Sequence, residues 1–294
     1  MNITEYFGIN IDNDLVTISV SGVDSLKFLQ GQLSNDIEEL NNNNYQNSTF
    51  STNQGKVIAT MRIFKKSGDY IILTNSDVAN SVIEGLKKYI LMSKVDIKLK
   101  QSTCYGILGN NIIDTKEINL GESKYSLSNI SDVYVLDIGI KDCPSYLVIS
   151  FAEGLPNFLS SDVTDVVNIS KLIDLKNVFP RLNEVSQESF IPQVLNMEKH
   201  NAISYKKGCY TGQEIVARTH YLGKIKKKLF CCSCKSAPNS NKNKIYNQDA
   251  EVIGELLAGN YLKLEKFYFQ AIIKINAIND QMFIDDQEIV VEES

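Results

Sequence analysis

Residues 14–20, "DLVTISV", alternate polar and β-branched side chains, the period-2 pattern of a half-buried strand. "GVDSLKFLQGQL" follows, with Leu26, Leu29 and Leu33 at helical spacing and Asp24 or Ser25 where an N-cap belongs. "NNNNYQN" from Asn41 reads as a polar loop. "STFST", "GKVIATMRIFKK" and "DYIILTN" read as successive antiparallel strands, the last two joined by a Ser67-Gly68-Asp69 turn. In "SDVANSVIEGLKKYIL", Val78, Val82, Leu86 and Tyr89 or Ile90 share one helical face, which predicts a helix covering that sheet.

From "VDIKLK" through "CYGILG", "KYSLS", "DVYVLDIG" and "SYLVIS" the pattern returns to short strands, and helical stretches are predicted near 152–160 and 164–177. Antiparallel strands with intervening helices imply an α+β fold rather than a doubly wound parallel sheet. After Gly223 the character changes. "KIKKKLFCCSC", "AEVIGELLAG", "YLKLEKFYFQAIIKI" and "QEIVVEE" read as strands with little helix, the pattern of a small all-β C-terminal domain. No repeat of 20 to 50 residues is present.

With 43% hydrophobic and 22% charged residues, the 294-residue chain has globular composition, and its length fits about two units with their own cores. The N-terminus lacks the basic start and apolar core of a secretory signal, and no run approaches the roughly 18 apolar residues of a membrane span. A soluble cytoplasmic protein is the expectation. The six cysteines are unevenly spaced, which fits reduced thiols better than a disulfide framework.

Charge draws attention to one segment, "YKKGCYTGQEIVARTHYLGKIKKKL" (205–229). Residues 206–228 hold seven cations against Glu214, a net of +6 that leaves −11 on the rest of a chain of net charge −5. Such a patch can attract an anion, and it can equally be a solvated face. Thr211 and Glu214 have capping-box spacing, so a helix is predicted to start there, with Ile215, Val216 and Thr219 facing inward. Cys209 then lies two residues ahead of the cap, where free helix amides, Lys206 and Lys207 favour a thiolate. A small buried residue in a turn formed by Gly208 and Gly212 is the competing reading. The same amides and lysines would suit a carboxylate or a phosphate.

"CCSC" (231–234) invites a metal reading, but its spacing matches no C-x-x-C pair, and neighbouring Cys231 and Cys232 would face opposite sides of a strand. Small buried strand residues are expected there, and no metal. His200 and His220 are too few for a histidine metal site, and His220 could assist Cys209 only if the helix folds back. No Walker loop, Rossmann glycine pattern or zinc-protease signature appears.

"KGCYTGQE" (207–214) is similar to the signature of the YgfZ family of folate-binding, iron-sulfur-cluster-maintenance proteins, relatives of the aminomethyltransferase (T-protein) of the glycine cleavage system. "GVDSLKFLQGQLSNDI" (22–37), "NQGKVIATMRIF" (53–64), "LKKYILMSKVDI" (86–97) and "FIPQVLNME" (190–198) resemble the family's other blocks in order. The resemblance implies two antiparallel α+β lobes in residues 1–223, the middle lobe at about 50–100, and a C-terminal β-barrel in 224–294, in a ring around a tetrahydrofolate site. It makes Cys209 the reactive thiol, completed by Lys207, Gly208, Tyr210, Gly212, Gln213 and Glu214, and it places Asp36, Arg62 and Lys207 towards folate. Tryptophans that some relatives carry near the pocket are absent here, with Leu15 at one such place and Ser170 near the other.

In the T-protein the block resembling "GKVIATMRIF" carries aspartates, one of which polarises the folate amine. Ala59 and Thr60 stand here, and neither can act as a carboxylate base. Lys176 likewise stands where a second carboxylate is expected. The leading expectation is therefore a folate-binding factor that supports iron-sulfur enzymes or their assembly proteins, tRNA-modifying enzymes included. A one-carbon transferase and a tRNA-binding module using Lys226 to Lys228 are the alternatives.

Overall fold

The strand patterns assemble into two antiparallel sheets and a barrel. The computed structural model describes residues 8–109, 113, 118, 125–139, 143–159, 168–238 and 243–292, with backbone alone at 258–260. Strand β1 (Gly8–Ile11) and the predicted β2 (Leu15–Ser21) belong to different sheets. After β2 comes helix α1 (Ser25–Gln30), then β3 (Gln46–Ser51), β4 (Val57–Lys66) and β5 (Asp69–Asn75). Helix α2 (Ser76–Lys87) and β6 (Asp96–Lys100) complete a sheet of order β3-β4-β5-β2-β6.

The β4–β5 hairpin turns at Ser67 and Gly68, both with positive φ, as the turn residues predict. Helix α2 is capped by the Asn75 side chain, which accepts from the Asp77 amide. It buries Val78, Ala79, Val82, Ile83 and Leu86, the face that the spacing predicted.

The second sheet, of order β1-β7-β10-β9-β8, adds β7 (Thr103–Leu108), β8 (Leu127–Ile130), β9 (Val133–Asp137) and β10 (Ser145–Ser150). Helix α3 (Ile169–Asn177) lies against β7, so close that a Cβ on Gly106 would sit 2.4 Å from the Ser170 amide nitrogen. Of the helical stretches predicted near 152–160 and 164–177, only the second forms. Residues 152–159 run through bends and turns, and 160 and 164–167 lie outside the described residues.

After α4 (Gln213–Leu222), strands β11 (Lys227–Cys234), β12 (Lys244–Tyr246), β13 (Val252–Lys263), β14 (Phe267–Lys274), β15 (Met282–Ile284) and β16 (Gln287–Val291) close a barrel of order β11-β14-β13-β12-β15-β16. Cys232 and Cys234 face the barrel core, whereas Cys231 joins Leu229, Tyr268 and Ile272 in the core shared with the first sheet. Alternate faces and burial are what the strand reading of "CCSC" predicted. Burial raises the Cys231 thiol to about 12 and lifts Cys232 too.

Four charged groups join these units. Arg62 on β4 donates to Asp174 on α3 (2.5 Å), and Arg181 bridges Asp174 (2.6 Å) and Asp12 (2.6 Å) after β1, all of them buried. Gln270 of the barrel donates to the backbone carbonyls of Asp174 (3.3 Å) and Phe179 (3.1 Å). Burial opposes the Asp12 charge, but Arg181 and the hydrogen bonds from Ser170, Arg181 and the Asp14 amide outweigh it and hold the carboxyl below its ordinary range.

Candidate functional site

The segment 207–212 lies across the C-terminal end of α1 and the β3–β4 turn. The Thr211 amide donates to the Gly31 carbonyl (3.1 Å), and its hydroxyl reaches Gln32 Oε1 (2.9 Å). Thr211 is therefore not a helix cap, contrary to the capping-box reading. Gly212 holds the N-cap position with φ +83°, and no side chain caps α4. A Cβ on Gly212 would stand 2.5 Å from the Thr52 carbonyl oxygen, so the position needs both the backbone freedom and the bareness of glycine. Within α4, Val216 is fully buried and Ile215 and Thr219 are half-buried, in line with the predicted inward face.

Cys209 is the exposed thiol of the six; Cys104, Cys143, Cys231, Cys232 and Cys234 are buried. Tyr210, next to it, is buried, and Gly208 is exposed. The two lysines part company. Lys206 is exposed, whereas Lys207 is buried and donates to the carbonyls of Leu33 and Asn35, 2.8 Å each, with its ammonium 5.2 Å from the Tyr210 ring centre. Burial lowers its pKa to about 8, against the pull of Asp36 and Glu38. Lys207 thus anchors the loop to the segment after α1, a different task from the thiol partner that the sequence suggested.

Lys206, the residue before this loop, lines a cavity of about 1030 Å³. Asn35, Tyr45, Gln46, Asn47, Asn201 and Lys206 line it, and so do Glu198, Tyr205 and His220. The last three form a cluster. Glu198 accepts from Tyr205 (2.6 Å) and pairs with His220 Nδ1 (2.8 Å), while the Tyr205 and His220 rings stack at 3.8 Å. A smaller recess of about 50 Å³ shares Tyr45, Asn47 and Tyr125 with it and reaches Arg62, Asn177 and Phe179. Arg62 lies 3.9 Å over the Phe179 ring.

The wall holds unmatched polarity. Gln46 and Asn47 spend their amide nitrogens on the carbonyls of Asp36 (2.8 Å) and His200 (3.0 Å), so their buried oxygens have no donor among the described residues. The Asn177 amide nitrogen is likewise without an acceptor. Buried polar atoms left unmatched are costly, and a ligand presenting N–H donors would satisfy these two oxygens. The run from Asn41 to Asn47 was legible only as loop composition. Its signal was that "QNST" continues as a strand with every residue buried.

Other expected residues are dispersed. Arg62 lines the recess. Asp36 caps a 3₁₀ turn and accepts from Gln30 (2.8 Å), beside Asn35 of the cavity wall. Leu15 packs in the core of the second sheet, and Ser170 is buried, donating to Asp12 and Asn168. Thr60 spends its hydroxyl on the Pro180 carbonyl (2.6 Å), and Ala59 is core. His220, far from serving Cys209, is held by Glu198.

No family model matches the chain. Among curated proteins it is 31% identical over 242 residues to the tRNA-modifying protein YgfZ of Hamiltonella defensa, covering 76% of this chain and 69% of that protein. It is 30% identical over 276 residues to the YgfZ of Buchnera aphidicola, covering 90% and 86%. The fold matches the glycine cleavage system aminomethyltransferase T of Bartonella henselae with a TM-score of 0.72 at 11% identity, over 98% of this chain and 85% of that one. Identity at this level across most of both chains, together with the shared aminomethyltransferase fold, places the chain in the family of the tRNA-modifying protein YgfZ.

Proposed function

We propose that the protein is a folate-binding factor that supports the assembly or repair of iron-sulfur enzymes, tRNA-modifying ones among them, with Cys209 as its working thiol. The observation that carries this reading is the exposure of Cys209, alone among six cysteines, on the loop that follows Lys206 of the cavity wall. Family membership supports the link to tRNA modification.

The residues present fit a folate. The cavity has the size of a small-molecule site, and Asn35, Tyr45, Gln46 and Asn47 of its wall carry amide and phenol groups of the kind that hydrogen-bond a pterin. Tyr45 and Arg62 would flank it, and Lys206 would face an anionic tail. Bound folate would supply a one-carbon carrier. The chain's own groups hold and orient it, and Thr60, already committed to Pro180, offers no base for aminomethyl transfer. No helix among the described residues is long and apolar enough to cross a membrane, and we place the activity in the cytoplasm with iron-sulfur proteins as partners.

Alkylation of Cys209 followed by mass spectrometry tests the coupling of pocket and thiol. Tetrahydrofolate is expected to slow the modification of Cys209 in the native protein, with Asn47→Leu abolishing the protection. An alkylation rate indifferent to folate would separate the two and remove the ligand from the account.

A further inference from the structure

The cations of α4 and of the segment after it are not absorbed by the thiol or the cavity. Arg218, Lys224, Lys226, Lys227 and Lys228 are all exposed, and none forms an ion pair among the described residues. The β11–β14 register sets Lys227 directly opposite Lys274. Like charges facing each other across a ladder destabilise a sheet, so the fold gains nothing from this pairing. A polyanion laid over it would turn the repulsion into attraction.

Two apolar side chains interrupt the strip. Tyr221 is 67% exposed and Leu222 84%. The Tyr221 ring meets His220 edge-on at 4.8 Å and Tyr205 at 6.1 Å, contacts that fix its orientation. An exposed, fixed aromatic that precedes a run of unpaired cations in the chain can receive a single-stranded nucleic acid, with phosphates on the cations and an unstacked base on the ring. The negative charge on the rest of the chain confines this attraction to the strip.

We propose that Lys224, Lys226, Lys227 and Lys228 bind the phosphates of a single-stranded RNA segment, such as a tRNA loop, one base of which stacks on Tyr221. The partner named rests on the tRNA-modification reading above. The backbone of β11 ties this surface to the segment that leads to Glu198 of the cavity wall, since the Leu229 amide donates to the Val194 carbonyl (2.9 Å) and Asn196 donates to the Leu229 carbonyl (2.7 Å). The RNA would therefore lie within one short segment of Glu198.

Fluorescence anisotropy with labelled oligouridine, bulk tRNA and an RNA duplex, across a salt series, tests the assignment on the full chain. Oligouridine and tRNA are expected to bind more tightly than the duplex, and affinity should fall with salt by a log–log slope of about 0.7 per phosphate held. Lys227→Ala should reduce that slope by about 0.7, without lowering the melting temperature, because the clash with Lys274 is relieved. Tyr221→Ala should weaken oligouridine binding by about 5- to 100-fold with the slope unchanged. Salt-independent binding, equal affinity for phosphatidylglycerol vesicles, or an unaltered triple variant K226A/K227A/K228A would overturn the proposal. Cys209→Ser should bind like the parent protein. A parent protein that restores tRNA modification in cells yet binds no RNA would overturn this surface alone and leave the function above standing.

Discussion

At Lys207, burial and hydrogen bonding act against each other. The ammonium satisfies two carbonyls in a site that disfavours its charge. Lys207→Met should destabilise the protein by about 1–3 kcal/mol, because the Leu33 and Asn35 carbonyls lose their donor. The pH dependence has a definite sign. The folded pKa of about 8 lies below the ordinary 10.5, so over that interval the unfolded chain holds the proton and the folded one does not. The parent protein should therefore gain stability relative to the Met variant as pH rises from 8 to 10.5, measured by urea unfolding. A difference that stays flat over that window contradicts a lowered pKa. The sequence located Lys207 beside the thiol but could not assign its task, since the carbonyls it serves lie more than 170 positions away. Cys209 was legible as a candidate because it stands beside Lys206 and Lys207, ahead of a predicted helix start, inside the "KGCYTGQE" signature. Its exposure was not, since the buried-turn reading fitted equally well.

The elements were legible wherever one face meets a core. The β4–β5 hairpin, α2 and the barrel strands β11, β13, β14 and β16 follow from alternation or helical spacing alone, whereas the three-residue β12 and β15 do not. Ends decided by tertiary contact were not. The spacing placed Leu26, Leu29 and Leu33 on one helical face, but α1 stops at Gln30 and Leu26 stays exposed. The Asp24 side chain caps nothing in α1, because it takes the Lys94 amide instead (2.7 Å). The Thr211 capping box failed for the same reason. Thr211 is drawn to Gln32, and the α4 start passes to Gly212, wedged against Thr52. Gly212→Ala should cost about 1–3 kcal/mol from positive φ and the clash, and should shift the Cys209 loop. Thermal unfolding together with the Cys209 alkylation rate checks this. An alanine variant equal to the parent in both would mean that the wedge has no consequence.

Across the whole molecule, the buried chain Asp12–Arg181–Asp174–Arg62 connects both sheets and α3, and Gln270 extends it to the barrel. These charges were invisible in the sequence, where Asp174 and Arg181 look like ordinary surface residues around the "FP" dipeptide. Arg181→Ala leaves two buried carboxylates without their shared partner and should cost about 3–5 kcal/mol in urea unfolding. Asp12 sits below its ordinary 3.8, so its contribution is complete above that pH and lost as pH falls below it. As pH falls below that value the parent should therefore lose more stability than Asp12→Asn and unfold at higher pH, once each is normalised to its neutral stability. The cavity and recess lie between these units, built from β3, from the segment 198–206 and from Arg62. No local pattern could have revealed them, because their walls meet only when the chain closes on itself.

The central claim is that Cys209 carries the protein's contribution to iron-sulfur-dependent tRNA modification. It is tested most directly by quantifying the tRNA nucleosides made by an iron-sulfur modifying enzyme in cells that lack their own family member. The parent chain should restore those nucleosides, and Cys209→Ser, present at equal abundance, should leave them depleted. Full restoration by Cys209→Ser would contradict the account.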